Sequence, residues 1–380
     1  MFLPSVNRRI IAVWAVAGTR ISAILAGMRS WLAALAVVLF VAGCGADEPT
    51  GPAFTRVALP DGAVAEALTA FGDGLLIGVR QDDRPGLVLL DADGTFSEIP
   101  VRGVSGYGRE ANWYSIATDG PRILAIGGKR GGAHGNVRWS VWTGDASGLT
   151  EQEQVFSTFG GLGAGDLIDA VIGPSTAALV GTWSSGSAGL DAAVWTASGD
   201  VWTRQPSAGT PLESTRGSLK FPMAATALAD GALVAGWQFA DGGRQIPTVW
   251  RSSAGVAGWT MSPLPDAGEV GTAIAVRCWD RTCGIAGRVD GFLAVWRLSV
   301  DTWTRLPGAP RIPVDDADTL AAPFEVDGQL TQVAGGQIAT HDGTKWTVEP
   351  VTGPSGTVTA TSTVGDTIYL LADDAVWRGP

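Results

Sequence analysis

The feature that most constrains this 380-residue chain is an internal repeat. Three segments share a Val-Trp pair, preceded by a run of small and β-branched residues and followed by a Trp-Thr pair; they span residues 177–206, 232–263 and 284–307. In each segment, short apolar stretches rich in Val, Trp and Thr alternate with Gly, Asp and Ser, a pattern typical of successive β-strands joined by turns. The repeat predicts the second, third and fourth strands of a four-stranded antiparallel unit, which we call strands b, c and d.

Weaker copies of the same pattern flank these three segments. The expected third strands fall near residues 89, 142, 195, 250, 296, 339 and 377, at intervals of 38 to 55 residues. A period of this length without a helical pattern is typical of a β-propeller. We therefore expect an all-β fold, a seven-bladed β-propeller of four-stranded antiparallel blades. If residues 102–160, the least regular stretch, hold an insertion instead of a blade, the number is six.

The two ends of the repeat predict how the ring closes. The chain ends in Asp374–Pro380, which matches a strand c with no strand d after it. The segment Phe54–Pro60 has the pattern of an isolated strand d. Pairing the two would hide an open sheet edge, so we expect the propeller to span residues 54–380 and to be closed by its N-terminal strand.

The repeat also indicates which aromatic side chains form the core. Tryptophan buries a large apolar area, and its recurrence at equivalent strand positions favours packing between blades over ligand binding. The residues expected there are Trp195, Trp202, Trp250, Trp259, Trp296, Trp303, Trp346 and Trp377.

The N-terminal segment has the features of an export signal. Residues 31–43 are apolar and follow Arg29; a membrane-spanning helix needs about 20 such residues, whereas the apolar region of a signal peptide needs about 7 to 15. The run ends in Val41-Ala42-Gly43-Cys44, which resembles the lipobox of bacterial lipoproteins. This resemblance implies that residues 1–43 are a signal peptide, that Cys44 is lipidated, and that the protein is extracytoplasmic and anchored to the cell membrane.

Two further expectations concern the same end of the chain. Met28 is an alternative start, because it directly precedes Arg29 and the apolar run. Residues 44–53 are small, acidic and Pro-bearing after the cysteine, which is typical of a flexible tether.

Charge and composition exclude several classes of function. The formal net charge is −11, and it is −15 after residue 43 because the first 43 residues hold four Arg and no acid. A nucleic-acid-binding protein is expected to be basic, so no nucleic acid partner is predicted. With two His and three Cys in the whole chain, and with no complete calcium loop, we predict no metal site, no cofactor and no catalytic residue.

Cys278 and Cys283 flank Trp279-Asp280-Arg281-Thr282, with strand-like segments on both sides. The spacing suits a cross-strand pair beside a hairpin between strands a and b, and export favours oxidation. We predict a disulfide that contributes about 2 kcal/mol, because it closes a short loop.

Several expected c-to-d turns carry a second resemblance. Ser198–Thr203 and Ser299–Thr304, and more loosely Asp342–Trp346 and Asp91–Phe96, resemble the Asp box of the sialidase-type, or BNR-like, propeller superfamily. In that superfamily the box is structural, and its Asp and Ser side chains close a turn. A sialidase-like glycan hydrolase is therefore the alternative function, although the Phe-Arg-Ile-Pro segment and a Tyr-Glu motif of that family are missing here.

A binding site on a propeller is expected in the loops that join strands b to c and strands d to the next a, because a rigid scaffold positions such loops. We expect these loops to be long in blades 1 to 4, and their aromatic and Arg residues are candidates for ligand binding. The candidates are Tyr107, Arg109, Trp113, Arg130, His134, Trp183, Trp237 and Arg244. The sequence thus favours a non-enzymatic ligand-binding, protein-binding or scaffold module of the bacterial cell envelope, whose partner is a protein or a glycan.

Overall fold

The computed structural model describes residues 51–131, 135–279 and 282–380. The expected signal peptide, Cys44 and most of the tether lie outside the described residues, as does His134. Within the part that is described, no helix has both the length and the apolar character to cross a membrane.

The described residues form seven sheets, in which all strand pairings but one are antiparallel; apart from the first strand, the strands of each sheet follow one another in the sequence. The first strand, β1 (Thr55–Arg56), belongs to the last sheet. Blade 1 comprises β2 (Val64–Phe71), β3 (Gly74–Gln81), β4 (Arg84–Leu90) and β5 (Phe96–Ile99). Blade 2 comprises β6 (Val101–Arg102), β7 (Asn112–Asp119), β8 (Arg122–Arg130), β9 (Val137–Asp145) and β10 (Gly148–Glu151). Blade 3 comprises β11 (Ala164–Gly173), β12 (Thr176–Ser184), β13 (Leu190–Ser198) and β14 (Val201–Arg204).

The remaining four blades complete the ring. Blade 4 comprises β15 (Ser218–Ala227), β16 (Ala232–Ala240), β17 (Arg244–Arg251) and β18 (Thr260–Pro263). Blade 5 comprises β19 (Gly271–Trp279), β20 (Thr282–Val289), β21 (Phe292–Ser299) and β22 (Thr302–Arg305). Blade 6 comprises β23 (Phe324–Val326), β24 (Gln329–Ala334), β25 (Gln337–His341) and β26 (Trp346–Pro350). Blade 7 comprises β27 (Val358–Val364), β28 (Thr367–Ala372) and β29 (Ala375–Gly379), together with β1.

The seven-bladed prediction is confirmed, and each predicted landmark lies in or beside the third strand of its blade. Residues 102–160 hold a full blade with one addition, because β6 pairs in parallel with β10 and gives blade 2 a fifth strand. Two short 3-10 turns, Gly108–Glu110 and Phe156–Thr158, lie in the connections on either side of blade 2. First strands of most neighbouring blades contact one another, as expected for the strands nearest the axis of a propeller.

The ring closes as predicted through the two ends of the repeat. In the β1–β29 ladder, Thr55 pairs with Arg378 and Arg56 with Trp377, and the Val57 amide donates to the Val376 carbonyl at 2.8 Å. The observed strand is shorter than the predicted Phe54–Pro60. Phe54 strengthens this joint because its ring is only 4% exposed and packs in the core cluster of blades 6 and 7.

The tryptophans of the third strands form the core between blades. Trp142, Trp195, Trp250 and Trp296 are at most 1% exposed, and each packs in a cluster that combines apolar residues of two blades. Trp202 is also buried. The remaining predicted core residues are half-buried and pack against these clusters or against those of blades 5 to 7; they are Trp259, Trp303, Trp346 and Trp377.

Three of the buried tryptophans also hold the incoming connection of their own blade. The Nε1 groups of Trp195, Trp250 and Trp296 donate to the carbonyls of Thr158, Pro211 and Pro265, at 2.9, 3.1 and 2.9 Å respectively. Each acceptor lies in the connection from strand d of the preceding blade. A buried indole N–H needs an acceptor. Each of these bonds therefore satisfies the indole and also fixes a surface loop.

The predicted disulfide is present. Cys278 and Cys283 are direct partners in the β19–β20 ladder, with their Cα atoms 4.0 Å apart. The bond lies at the hairpin between strands a and b of blade 5, as the spacing indicated.

Aspartates in turns account for part of the negative charge of the chain. Eight aspartates in the described ranges adopt positive φ, and they include the turn pairs Asp82–Asp83 and Asp373–Asp374. Aspartate tolerates this conformation better than most residues. At c-to-d turns, Asp93, Asp145 and Asp342 accept hydrogen bonds from amides two residues on. Asp93 and Asp342 lie in the two looser boxes, whereas the turn at Asp145 was not predicted to be one. The Asp301 carboxylate, in a predicted box, also accepts a bond from Arg251 at 2.7 Å.

We expect Trp296→Ala to destabilise the fold far more than Trp303→Ala in the same blade. The first change empties a fully buried site and removes the bond to the Pro265 carbonyl, so it should cost about 3 to 5 kcal/mol. Trp303 is half-buried, so its loss should cost clearly less. Thermal unfolding followed by near-UV circular dichroism measures the stability of both variants. Equal losses of stability would contradict the larger contribution assigned to Trp296.

Candidate functional site

The loop face is the face of the ring that carries the b-to-c turns and the connections from strand d to the next strand a. Its longest connections span residues 100–111, 152–163, 205–217 and 306–323. The expectation of long loops in blades 1 to 4 is only partly correct. The b-to-c turn of blade 1 is the tight pair Asp82–Asp83, whereas 306–323, between blades 5 and 6, is long. That segment carries no repeat landmark, so the sequence pattern gave it no role.

In blade 2 the third-strand tryptophan does not hold the incoming connection, unlike those of blades 3, 4 and 5. Trp142 donates to the Ser140 hydroxyl at 3.0 Å instead of to a connection. The incoming connection is held by Glu151 on β10, whose carboxylate accepts from the Val104 and Ser105 amides at 2.6 and 2.7 Å and from the Ser105 hydroxyl at 2.6 Å. Glu151 is 5% exposed, so one buried carboxylate fixes the loop that follows β6.

A cavity of about 340 Å³ opens beside this loop. Its walls come from β9, from the connection 100–111 and from the connection 152–163. The side chains that matter here are Tyr107, Arg138, Trp139, Glu153, Phe156 and Phe159. The cavity therefore joins aromatic walls to one guanidinium and one exposed carboxylate.

Arg138 lies at the centre of the aromatic residues. Its guanidinium carbon is 6.0 Å from the ring centroid of Tyr107 and 4.7 Å from that of Phe156. Tyr107 comes from the connection before blade 2 and Phe156 from the connection after it, so Arg138 joins two loops through cation–π contacts.

The rim of this cavity is apolar and exposed. Val155 is 74% exposed, Phe156 60% and Tyr107 43%, and Val104 lies nearby on the Glu151-bound loop. Exposed apolar side chains grouped around a concave site are a feature of binding surfaces.

Seven of the eight predicted ligand-binding residues are described, and one of these seven lines this cavity. Tyr107 does; Arg109 lies on the neighbouring 3-10 turn and donates to the Val104 carbonyl at 2.8 Å. Trp113 was expected in a loop but lies in β7, is 4% exposed and donates to the Gly86 carbonyl at 2.9 Å, so it is a core residue. The repeat gave no warning of this, because Trp113 has no counterpart in the other first strands.

The other candidates are also mostly in strands. Arg130 ends β8 and donates to the Gly135 carbonyl at 2.9 Å, which braces its own hairpin. Trp183, in β12, lies edge-on to Trp195 and under the guanidinium of Arg204. Arg244 begins β17 and is exposed.

Trp237 belongs to a second, smaller cavity. It stacks on Phe221 with ring centroids 3.9 Å apart, and it lines a cavity of about 290 Å³ with Met223, Arg288 and three aspartates of the connection 306–323. Arg288 is paired there with Asp316. Arg288 is the one guanidinium among the described residues that line this cavity, and it has a carboxylate partner there.

The channel mouth holds a further set of residues that the sequence did not indicate. Six of the seven first strands in the described chain have a β-bulge near their loop-face end; the bulged residues are Glu66, Tyr114, Ile168, Met223, Ile274 and Thr359. A bulge bends and twists its strand. Burial raises the pKa of Tyr114, and the charges of Asp166 and Glu66 add to the rise against the effect of Arg130.

Two ionisable side chains on the first strands, Asp169 and Arg277, have strongly shifted pKa values. Burial raises the pKa of Asp169 to about 6, although the Ala225 amide and the Ser115 hydroxyl oppose the rise by donating to the carboxylate. Burial lowers the pKa of Arg277 to about 10, and its guanidinium donates to the Thr361 carbonyl of blade 7. Both side chains tie one blade to others. In the residues described here, no three potential metal ligands come together.

Comparison with known proteins shows similarity of fold alone. No protein-family model matches the chain, and no curated protein matches it either. Among solved structures, the extracellular domain of a putative hybrid two-component system from B. thetaiotaomicron matches with a TM-score of 0.53 and 11% identity, over 86% of this chain and 39% of that one.

Two further matches are β-propellers of this length. YCF48 bound to D1 peptide matches with a TM-score of 0.54 and 13% identity, over 86% of this chain and 94% of that one. YCF48 from Cyanidioschyzon merolae matches with a TM-score of 0.51 and 14% identity, over 86% and 98%. At these identities the similarity shows a shared fold.

We expect Asp169→Asn to remove a pH-dependent part of the stability. The folded-state pKa of about 6 lies above the ordinary 3.8, so this group's contribution is full below about pH 4 and is lost as the pH rises through about 6; at most it amounts to about 3 kcal/mol. As the pH is raised from 4 to 8, the thermal midpoint should fall less in Asp169→Asn than in the wild type. Asp73→Asn, at an exposed turn, controls for the lost charge, and parallel curves for Asp169→Asn and the wild type would contradict the assignment.

Proposed function

We propose that this chain is an exported, lipid-anchored β-propeller of the bacterial cell envelope that binds a protein partner and catalyses no reaction. The lipobox-like segment ending at Cys44 supports the anchor. The observation that carries the binding role is the cavity beside blade 2, where two separately anchored loops place aromatic side chains around Arg138.

The polar groups at the channel mouth favour binding over glycan hydrolysis. A tyrosine nucleophile needs a lowered pKa or an adjacent free base, but burial raises the pKa of Tyr114. The nearby Glu66 carboxylate already accepts bonds from the Arg80 guanidinium, the Asn112 amide and the Trp113 backbone amide. These contacts leave the sialidase-like alternative without a free acid–base pair at this position.

A protein partner fits the cavity better than a neutral glycan. The rim consists of aliphatic and aromatic side chains, which favour a partner with apolar side chains. Another propeller of similar fold is solved in complex with a peptide, and we extend that class of partner to this chain as part of the proposal.

The anchor can be tested by Cys44→Ser in the full chain, expressed in a bacterium with lipoprotein processing. We expect the wild type to incorporate labelled palmitate and to sediment with membranes, and the variant to lose both properties. The double variant Cys278→Ser/Cys283→Ser, which removes the disulfide, should keep both. Membrane sedimentation and labelling of Cys44→Ser would refute lipid anchoring.

The binding role can be tested by photo-crosslinking in cells. A benzoylphenylalanine placed at Phe156 should capture a discrete protein, at least fivefold more than the same residue placed at Val300. Val300 is 89% exposed and lies in a c-to-d turn, on the opposite face. Tyr107→Ala should weaken the Phe156 adduct, whereas equal capture at both positions would refute a binding site on the loop face.

A further inference from the structure

Arg138 has unused hydrogen-bonding capacity inside a built site. A guanidinium carries five N–H donors in one plane, and contacts with aromatic rings use its faces instead of these donors. In the described residues, no carboxylate oxygen lies within 4.0 Å of the Arg138 nitrogens and no acceptor binds them. The donors are therefore available to a ligand in the cavity.

The carboxylates that line the cavity do not fill this role. Glu151 is engaged by the Val104 and Ser105 amides and by the Ser105 hydroxyl. Glu153 is exposed and makes no ion pair with Arg138 in the described part of the chain. The contrast with Arg288 is direct, since the second cavity supplies its own partner, Asp316.

The chemistry of the missing partner follows from the geometry. A guanidinium held over aromatic rings presents a planar fork that matches a carboxylate in a bidentate pair. Arg138 is the only cationic side chain among the described residues that line this cavity, and the chain is acidic, so a singly charged carboxylate fits better than a phosphate dianion.

The surroundings of Arg138 indicate what carries the carboxylate. Val137, Trp139 and Phe159 line the cavity, and Val155 and Phe156 add apolar surface at its rim. A carboxylate next to an apolar side chain would satisfy both halves of the site. An extended peptide supplies these two groups within one or two residues.

We propose that this cavity binds a carboxylate on a peptide segment of the partner, with Arg138 as its counterion and an apolar side chain of the same peptide against the aromatic wall. The proposal rests on the proposed binding function and names the partner chemistry of that site. The carboxylate is either the C-terminus of the peptide or an Asp or Glu side chain, and the experiment separates the two.

The test uses the full chain in detergent micelles and three arrays of random hexapeptides. The first array has free C-termini and no Asp or Glu, the second has amidated C-termini and no Asp or Glu, and the third is amidated with one Glu. We expect binding to the first or the third array and at least tenfold weaker binding to the second. Binding to the first alone identifies a C-terminal carboxylate, and binding to the third alone identifies a side chain.

Three variants assign the binding to the cavity. Arg138→Gln should lower affinity for the preferred array at least tenfold, and Arg138→Lys should restore only part of it, because an ammonium lacks the planar fork. Arg204→Gln is the matched control: its guanidinium also lies over an aromatic ring, 5.1 Å from the centroid of Trp183, but it does not line the cavity. If Arg138→Gln unfolds, Phe156→Leu replaces it, with an expected loss of at least fivefold and an unchanged thermal midpoint.

The outcomes separate this proposal from the binding function. Equal binding to all three arrays, no binding to any of them, or an affinity indifferent to Arg138, overturns the carboxylate proposal. Arg138-dependent binding to a parallel array of sialylated and uronic-acid glycans, with none to peptides, overturns the peptide class. If the cross-link at Phe156 persists unchanged in Arg138→Gln, the binding function stands and the role of Arg138 is refuted. If the chain with native Arg138 captures no partner at Phe156, the binding function itself is refuted.

Discussion

Most of this structure depends on the packing of one buried tryptophan between each pair of neighbouring blades from blade 1 to blade 5. Its ring fills the space between two sheets, and its single N–H must find an acceptor in a region without water. In blades 3, 4 and 5 that acceptor is a carbonyl of the incoming connection. Core packing and loop position are thus set by the same side chain, which explains why loops on this face can be long without losing their shape.

The candidate site lies where this arrangement is broken. In blade 2 the tryptophan bonds within its own strand, and the buried carboxylate of Glu151 holds the incoming loop instead. Tyr107 lies on the loop that Glu151 holds, near the Arg138 guanidinium and beside the cavity. The site is therefore a local exception to the repeat and not one copy of it.

This origin explains what the sequence could predict. Features that recur, such as the third-strand landmarks, the closing pair at Thr55 and Arg378, and the strands that bring Cys278 opposite Cys283, are visible as a pattern in one chain. Arg138 and Phe156 occur once, and no period identifies them. The sequence does show a Val-Phe pair directly after the polar run 151–154, but not that both side chains are exposed. Trp113 was misplaced for the opposite reason, because aromatic character alone does not distinguish a loop residue from a bulged strand.

The closing joint has a mechanical consequence. If a lipid holds the chain ahead of residue 51, any drag on the propeller is transmitted through the strand that completes the last sheet. Its two ladder pairs, the ring of Phe54 and the backbone bonds that join Val57 to Val376 and Phe54 to Thr352 resist that force. The other blades, each joined to its neighbours through the chain itself, bear no such load. Force would therefore act first on the β1–β29 pairing. Phe54 packs against Gly353 and Gly379, where a Cβ would not fit, and this contact would resist separation of the two strands.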